Sequence, residues 1–89
     1  LQNLEVLDTC VGRYQIAPDD VRTITRDGTR MFSQRNGGKK FELISIGARQ
    51  FSFEDSFQRL SFEQDSSGSI VRVISRTLGG MPEVCAKLR

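Results

Sequence analysis

The chain has 89 residues, 37% hydrophobic and 27% charged, which makes one ordinary globular domain near the lower size at which a core can be buried unaided. Its 13 basic and 11 acidic side chains leave a formal charge of +2, too small for the electrostatic footprint of a nucleic-acid binder. Apolar runs reach only two or three residues, far short of the roughly 20 that span a bilayer, so neither nucleic acid nor a membrane is expected as a partner. Residues 1–89 are read as a single domain, and a start at Leu1 without an initiator Met is expected of a mature form or a piece of something longer.

Leu4, Leu7 and Val11 recur at helical spacing, with Asn3 as a candidate N-cap and Gly12 as terminator, so a short N-terminal helix is expected. A first strand follows over Arg13 to Ala17, ended by Pro18 and Asp19-Asp20. Val21–Arg26 and Thr29–Arg35 flank Asp27-Gly28, a two-residue hairpin signal. With that pair as the loop, Ile24 opposes Met31 on one face. Asn36-Gly37-Gly38-Lys39 makes the next turn, and Gly37-Gly38 at its centre would set Met31 against Ile44. Ile24, Met31 and Ile44 then form one apolar row.

Phe41–Ile46 and Phe51-Ser52-Phe53 read as the next strands, before a polar break at Glu54-Asp55-Ser56. A sixth strand starts near Phe57 and carries Leu60 and Phe62 on one face. Asp65-Ser66-Ser67-Gly68 is a type I turn with Gly at the left-handed position. In the seventh strand Ile70, Val71, Val73 and Ile74 break strict alternation, so a bulge is expected near Val71-Arg72. Gly79-Gly80 closes the last hairpin, with Arg76 against Glu83 and Ile74 against Cys85. Pro82, which has no N–H to give a ladder, argues for an edge or a non-bonded position there. Eight strands joined by tight turns make a small all-β, antiparallel up-and-down meander, which hides its edges by closing into a barrel or by covering one end with the helix. The expected inward set is Ile24, Met31, Phe41, Leu43, Phe51, Phe53, Leu60, Phe62, Ile70 and Val73.

The order and spacing of Val11-Gly12-Arg13-Tyr14-Gln15-Ile16-Ala17-Pro18, of Ile24-Thr25-Arg26-Asp27-Gly28-Thr29-Arg30-Met31-Phe32-Ser33-Gln34, and of Leu60-Ser61-Phe62-Glu63-Gln64-Asp65 with Gly68-Ser69-Ile70 resembles the DUF3471 or Pab87-related C-terminal domain family. The likeness runs from Leu7 to Lys87. It implies a lipocalin-like barrel attached behind a serine hydrolase of the β-lactamase or penicillin-binding-protein type, as the C-terminal piece of a longer chain. The implied role is accessory, in assembly or substrate access, with the partner being that hydrolase domain or another copy of the chain. Cys10 stands where the pattern has an aromatic residue, Arg22 where an apolar one is common, and Phe57 where Asp is frequent. Phe57 is therefore a candidate exposed contact.

No catalytic residue is assigned to this chain, and it is not expected to be an enzyme. It contains no His, so neither a Ser-His-Asp triad nor a Cys-His dyad can be built. Lys39, Lys40 and Lys87 fall in a turn and at the chain end with no Ser-x-x-Lys spacing, and are read as solvated. Asp19-Asp20 and Glu54-Asp55 lie in expected loops, where turn bonding accounts for them. The Asp65 turn lacks the oxygen set of a calcium loop, and two cysteines without His do not make a zinc site. No metal and no cofactor is expected. Arg22, Arg26, Arg30 and Arg35 are read as a solvated face on neighbouring strands.

Cys10 and Cys85 have two readings. In a closed meander the first and last strands are neighbours, so the two residues could pair and close a loop of about 75 residues, worth roughly 4 kcal/mol in the chain-entropy model. Alternatively they are buried thiols filling the core, which the inward position of Cys85 favours. With a bridge, and with the hydrolase association, the location leans extracytoplasmic, periplasmic or secreted. A second functional class is a small hydrophobic-ligand binder using the barrel interior. Tyr14 would pack its ring at the barrel end, as a candidate ligand or contact residue, with its hydroxyl toward water or a backbone group.

Overall fold

Alternation at period two gives every strand one apolar side, and a meander of such strands hides that side and both its edges by closing on itself. The computed structural model, which describes residues 4–47, 49–53, 57–77 and 79–88, shows this closure. Helix α1 (Leu4–Cys10) precedes β1 (Gly12–Ala17), β2 (Asp20–Asp27), β3 (Arg30–Arg35), β4 (Lys40–Gly47), β5 (Gln50–Phe53), β6 (Arg59–Gln64), β7 (Ile70–Arg76) and β8 (Glu83–Lys87). Each strand is antiparallel to the next, and β8 returns to pair with β1 through Tyr14 opposite Lys87 and Gln15 opposite Ala86. The result is the eight-strand up-and-down barrel with a short N-terminal helix that the sequence pattern implies.

The expected inward residues line the interior, with Phe41 partly buried and the other nine in the core. Leu7, Cys10, Tyr14 and Cys85 join them. Phe62 receives two aromatic neighbours edge to face, Tyr14 with centroids 5.5 Å apart and Phe51 at 5.7 Å. The bulge falls where the broken alternation placed it. Glu63 opposes Arg72 and Gln64 opposes Ile70, which leaves Val71 as the extra residue. The Asp65 turn also matches: Gly68 has φ +90°, and Asp65 Oδ1 accepts from the Ser67 and Ser69 backbone N–H groups at 2.9 and 3.1 Å.

Three hairpin registers differ from expectation. Between β2 and β3 the loop is Gly28-Thr29, with Asp27 opposite Arg30 and Ile24 opposite Ser33 rather than Met31. Gly28, at φ +62°, takes the first central position, where a type II′ loop needs it. Because the slip is of two residues, Ile24 and Met31 keep their inward side. Between β3 and β4, Met31 opposes Leu43, not Ile44. Asn36 adopts a left-handed φ of 52° and Gly38 N–H donates to Arg35 O at 3.0 Å, so the loop is not centred on Gly37-Gly38. One residue of slip reverses the faces, and the apolar row loses Ile44, which is 47% exposed.

Between β7 and β8, Val73 opposes Cys85 and Ser75 opposes Glu83. Gly80 N–H closes on Thr77 O at 3.2 Å with Gly79 at φ +75°, so the turn sits one residue earlier than Gly79-Gly80. The Arg76–Glu83 pair is thereby lost, and Arg76 faces Arg59. Leu78, Glu54-Asp55-Ser56 and the Asn3 cap lie outside the described residues.

Strand direction sorts the loops onto two ends. The helix end carries α1, the starts of β1, β3, β5 and β7, and the finish of β8. The other, distal end carries the turns before β2, β4, β6 and β8. At the helix end α1 buries Leu7 and Cys10 against the core. Its last turn is held by three side chains: Tyr14 Oη donates to Cys10 O at 2.7 Å, Lys87 Nζ donates to Thr9 O at 3.2 Å, and Arg26 Nε donates to Asp8 Oδ1 at 2.8 Å. The first two satisfy carbonyls that a helix C-terminus leaves without partners, and the Lys87 ammonium also suits the dipole there.

Candidate functional site

On β2 the inward positions run Arg22, Ile24, so the strand that supplies a core Ile also drives a guanidinium into the distal layer of the barrel. Arg22 is 4% exposed. Its Nη1 donates to the buried Ser33 Oγ at 2.9 Å, and its guanidinium carbon stands 5.6 Å from the centre of the Phe53 ring. Its Nε is buried with no partner. Ser75 on β7 lies in the same layer and accepts from Gln58 Nε2 at 2.7 Å. Burial is the main force on Arg22 and pulls its pKa down, while Asp20 and Glu83 act only through space. Asp20 is occupied by Arg35, whose Nε reaches both carboxylate oxygens at 2.8 and 3.0 Å and whose Nη2 also bonds Oδ2.

The four clustered arginines therefore do not form one solvated face. Arg22 points into the core, Arg26 pairs with Asp8, Arg30 pairs with Glu42 at 2.9 Å and Arg35 pairs with Asp20. Arg22 and Arg26 share the Ile24 side of β2 and Arg35 the Met31 side of β3, with Arg30 on the outer side, which a sequence count of positive charge does not register. Lys87 is likewise not merely solvated, since it anchors the helix, and Lys39 stands 5.3 Å from the Phe41 ring centre.

Cys10 and Cys85 are both free and buried, so the bridge is not formed. They occupy different layers: Cys10 ends α1 with Arg49 and Lys87 as its charged neighbours, whereas Cys85 points inward from mid-β8 near Glu83 and Arg22. Burial pushes both thiols above their ordinary range, which keeps them protonated and poor nucleophiles at neutral pH. Tyr14 is fully buried, with its hydroxyl on a backbone carbonyl. It has no surface to offer a ligand and belongs to the core.

Phe57 is the sequence candidate that the structure leaves in water, 76% exposed. It lines a shallow cleft of about 200 Å³ with Arg59, Arg76 and Thr77 at the distal end. Arg59 and Arg76 face each other across β6 and β7 and are both exposed. Met81, 88% exposed, and Val84, 59% exposed, stand in water on the last hairpin. A second cleft of about 480 Å³ follows the Val71 bulge at the helix end, bounded by Asp65, Ser69, Lys87 and Leu88. Among the described residues no three His, Cys, Asp or Glu side chains gather as a metal site, and no helix is long and apolar enough to cross a membrane. Set against protein-family models, curated proteins and solved structures, the chain matches none of them.

Proposed function

We propose that this chain is a non-catalytic interaction domain of a serine hydrolase of the β-lactamase or penicillin-binding-protein type, and that the distal end of β6, β7 and β8 is its contact surface. The observation that supports this is the group of large apolar side chains standing in water there, Phe57, Met81 and Val84. Exposed apolar surface bounded by charge is the usual mark of a protein-binding patch. Arg59 and Arg76 add direction: like charges placed directly opposite on a sheet repel, and carboxylates from a partner would relieve that repulsion. The hydrolase as partner rests on the sequence resemblance alone. Catalysis is assigned to that other domain because this chain has no His and its two thiols are buried. A hydrophobic ligand held inside the barrel is the weaker reading, since Met31, Leu43, Phe51, Phe62 and Val73 already fill the interior.

The experiment is to mix this domain with the hydrolase domain of its parent chain and measure association by sedimentation, with hydrolase activity alongside. Association that weakens in Phe57→Ser and in the charge reversal Arg59→Glu supports the reading. A parent chain without a hydrolase, or two domains that neither associate nor change activity, removes it.

A further inference from the structure

Among the described residues one buried cation, Arg22, has no anion bonded to it. Arg22 uses Nη1 on Ser33 Oγ, while Nε is buried and unbonded. Among the described residues Nη2 makes no hydrogen bond either, so the Nε–Nη2 edge, the one that grips a carboxylate through two parallel bonds, is unused. Buried charges are ordinarily paired, yet Asp20 is held by Arg35 and Glu83 is exposed. We propose that Arg22 is the head-group site for a small-molecule carboxylic acid, which enters at the distal end, sets its carboxylate on the Nε–Nη2 edge and leaves a short apolar tail against the rim.

The chemistry of the layer selects this class. One guanidinium, bonded to the neutral hydroxyl of Ser33 and set against the Phe53 ring, balances a single negative charge. A phosphate dianion would set two negative charges against the one guanidinium that receives it. Beyond Arg22 the interior is filled by Ile24, Leu43 and Val73, so the ligand ends at the guanidinium and does not run through the barrel. The rim at the same end holds the exposed Phe57 and Met81, which can cover a tail of a few methylenes. The tail shares Phe57 and Met81 with the proposed contact surface, but the head group lies inside the layer, and the test uses neither hydrolase nor partner.

The test observes the Arg22 Nε–H resonance by proton–nitrogen NMR of the intact domain, assigned through its scalar couplings along the Arg22 side chain, during titration with octanoate, acetate and octanol. Octanoate is expected to move that resonance saturably, acetate to do so more weakly, and octanol to leave it in place. Arg22→Met is expected to weaken octanoate binding roughly 10- to 100-fold, the equivalent of a charge-assisted hydrogen bond. Ser33→Ala, which leaves the binding edge intact, is expected to keep the response. The melting temperature of the parent domain should rise with octanoate and not with octanol. An Arg22 resonance that octanoate leaves unmoved, or an octanol effect equal to that of octanoate, overturns the proposal, whether or not Arg22→Met folds.

Discussion

The two ends of this barrel treat their polar groups in opposite ways. At the helix end the buried hydroxyl of Tyr14 has its acceptor, Lys87 has a helix carbonyl, Arg26 has Asp8, and Leu7 and Cys10 close the core beneath. At the distal end a buried guanidinium has an unbonded Nε, and Phe57 and Met81 stand in water. A domain this small has little stability to spare. The contrast teaches that one end is built for folding, whereas the other keeps features that folding alone would remove.

The sharpest way to break this comparison is to damage the helix end. Leu7→Ala empties a fully buried site and is expected to cost about 2–5 kcal/mol, read as a fall in the denaturant midpoint. A loss no larger than that of a surface substitution would show that α1 is not part of the cooperative core. Arg22→Met should act with the opposite sign. Replacing an uncompensated buried charge by an apolar side chain is expected to be neutral or to stabilise by about 1–3 kcal/mol, and marked destabilisation would place Arg22 among the structural groups. Tyr14→Phe removes the donor to Cys10 O in a buried setting and should cost about 1–2 kcal/mol by the same measurement.

Alkaline pH sharpens the contrast further, because the helix end holds two of the three buried acids. Burial raises Cys10 and Cys85 above 9.0 and Tyr14 above 10.0. Groups raised in the folded state add stability that is fully present below their unfolded values and is lost as pH climbs through the folded ones. The contribution of these three groups is therefore expected to be level from neutral pH to about pH 9 and to fall above it, and Cys10→Ala should flatten part of that fall in a pH series of melts. The smallest effect belongs to the distal rim. Phe57→Ser should change stability by no more than about 0.5 kcal/mol, and a larger loss would mean that Phe57 packs against the fold.

Much of the architecture was legible because strand alternation, turn residues and the broken pattern at Ile70-Val71 act locally. The Val71 bulge and the Asp65 turn follow from residues within a few positions of each other. The one-residue slips at β3–β4 and β7–β8 were not legible. Asn36-Gly37-Gly38 and Leu78-Gly79-Gly80 each contain more than one residue able to take a positive φ, and the choice among them decides which face Ile44 occupies and whether Arg76 or Ser75 meets Glu83. Phe57 could be singled out as an exposed contact from sequence. Arg22 could not be singled out as a site, although its two-residue spacing from Ile24 carried the signal, because a charged residue on an alternating strand is ordinarily assigned to water.

Strands β1 and β8 are neighbours, and the described chain both enters and leaves at the helix end. A pull applied through these two ends would first lift α1 and then meet the β1–β8 ladder from one side, beginning with Leu88 N–H on Arg13 O at 2.7 Å. The bonds would open singly, like a zipper, instead of sharing the load as they do in shear. Under tension along a longer polypeptide the barrel should therefore part at this seam at low force, with the sheet from β2 to β7 the last to separate.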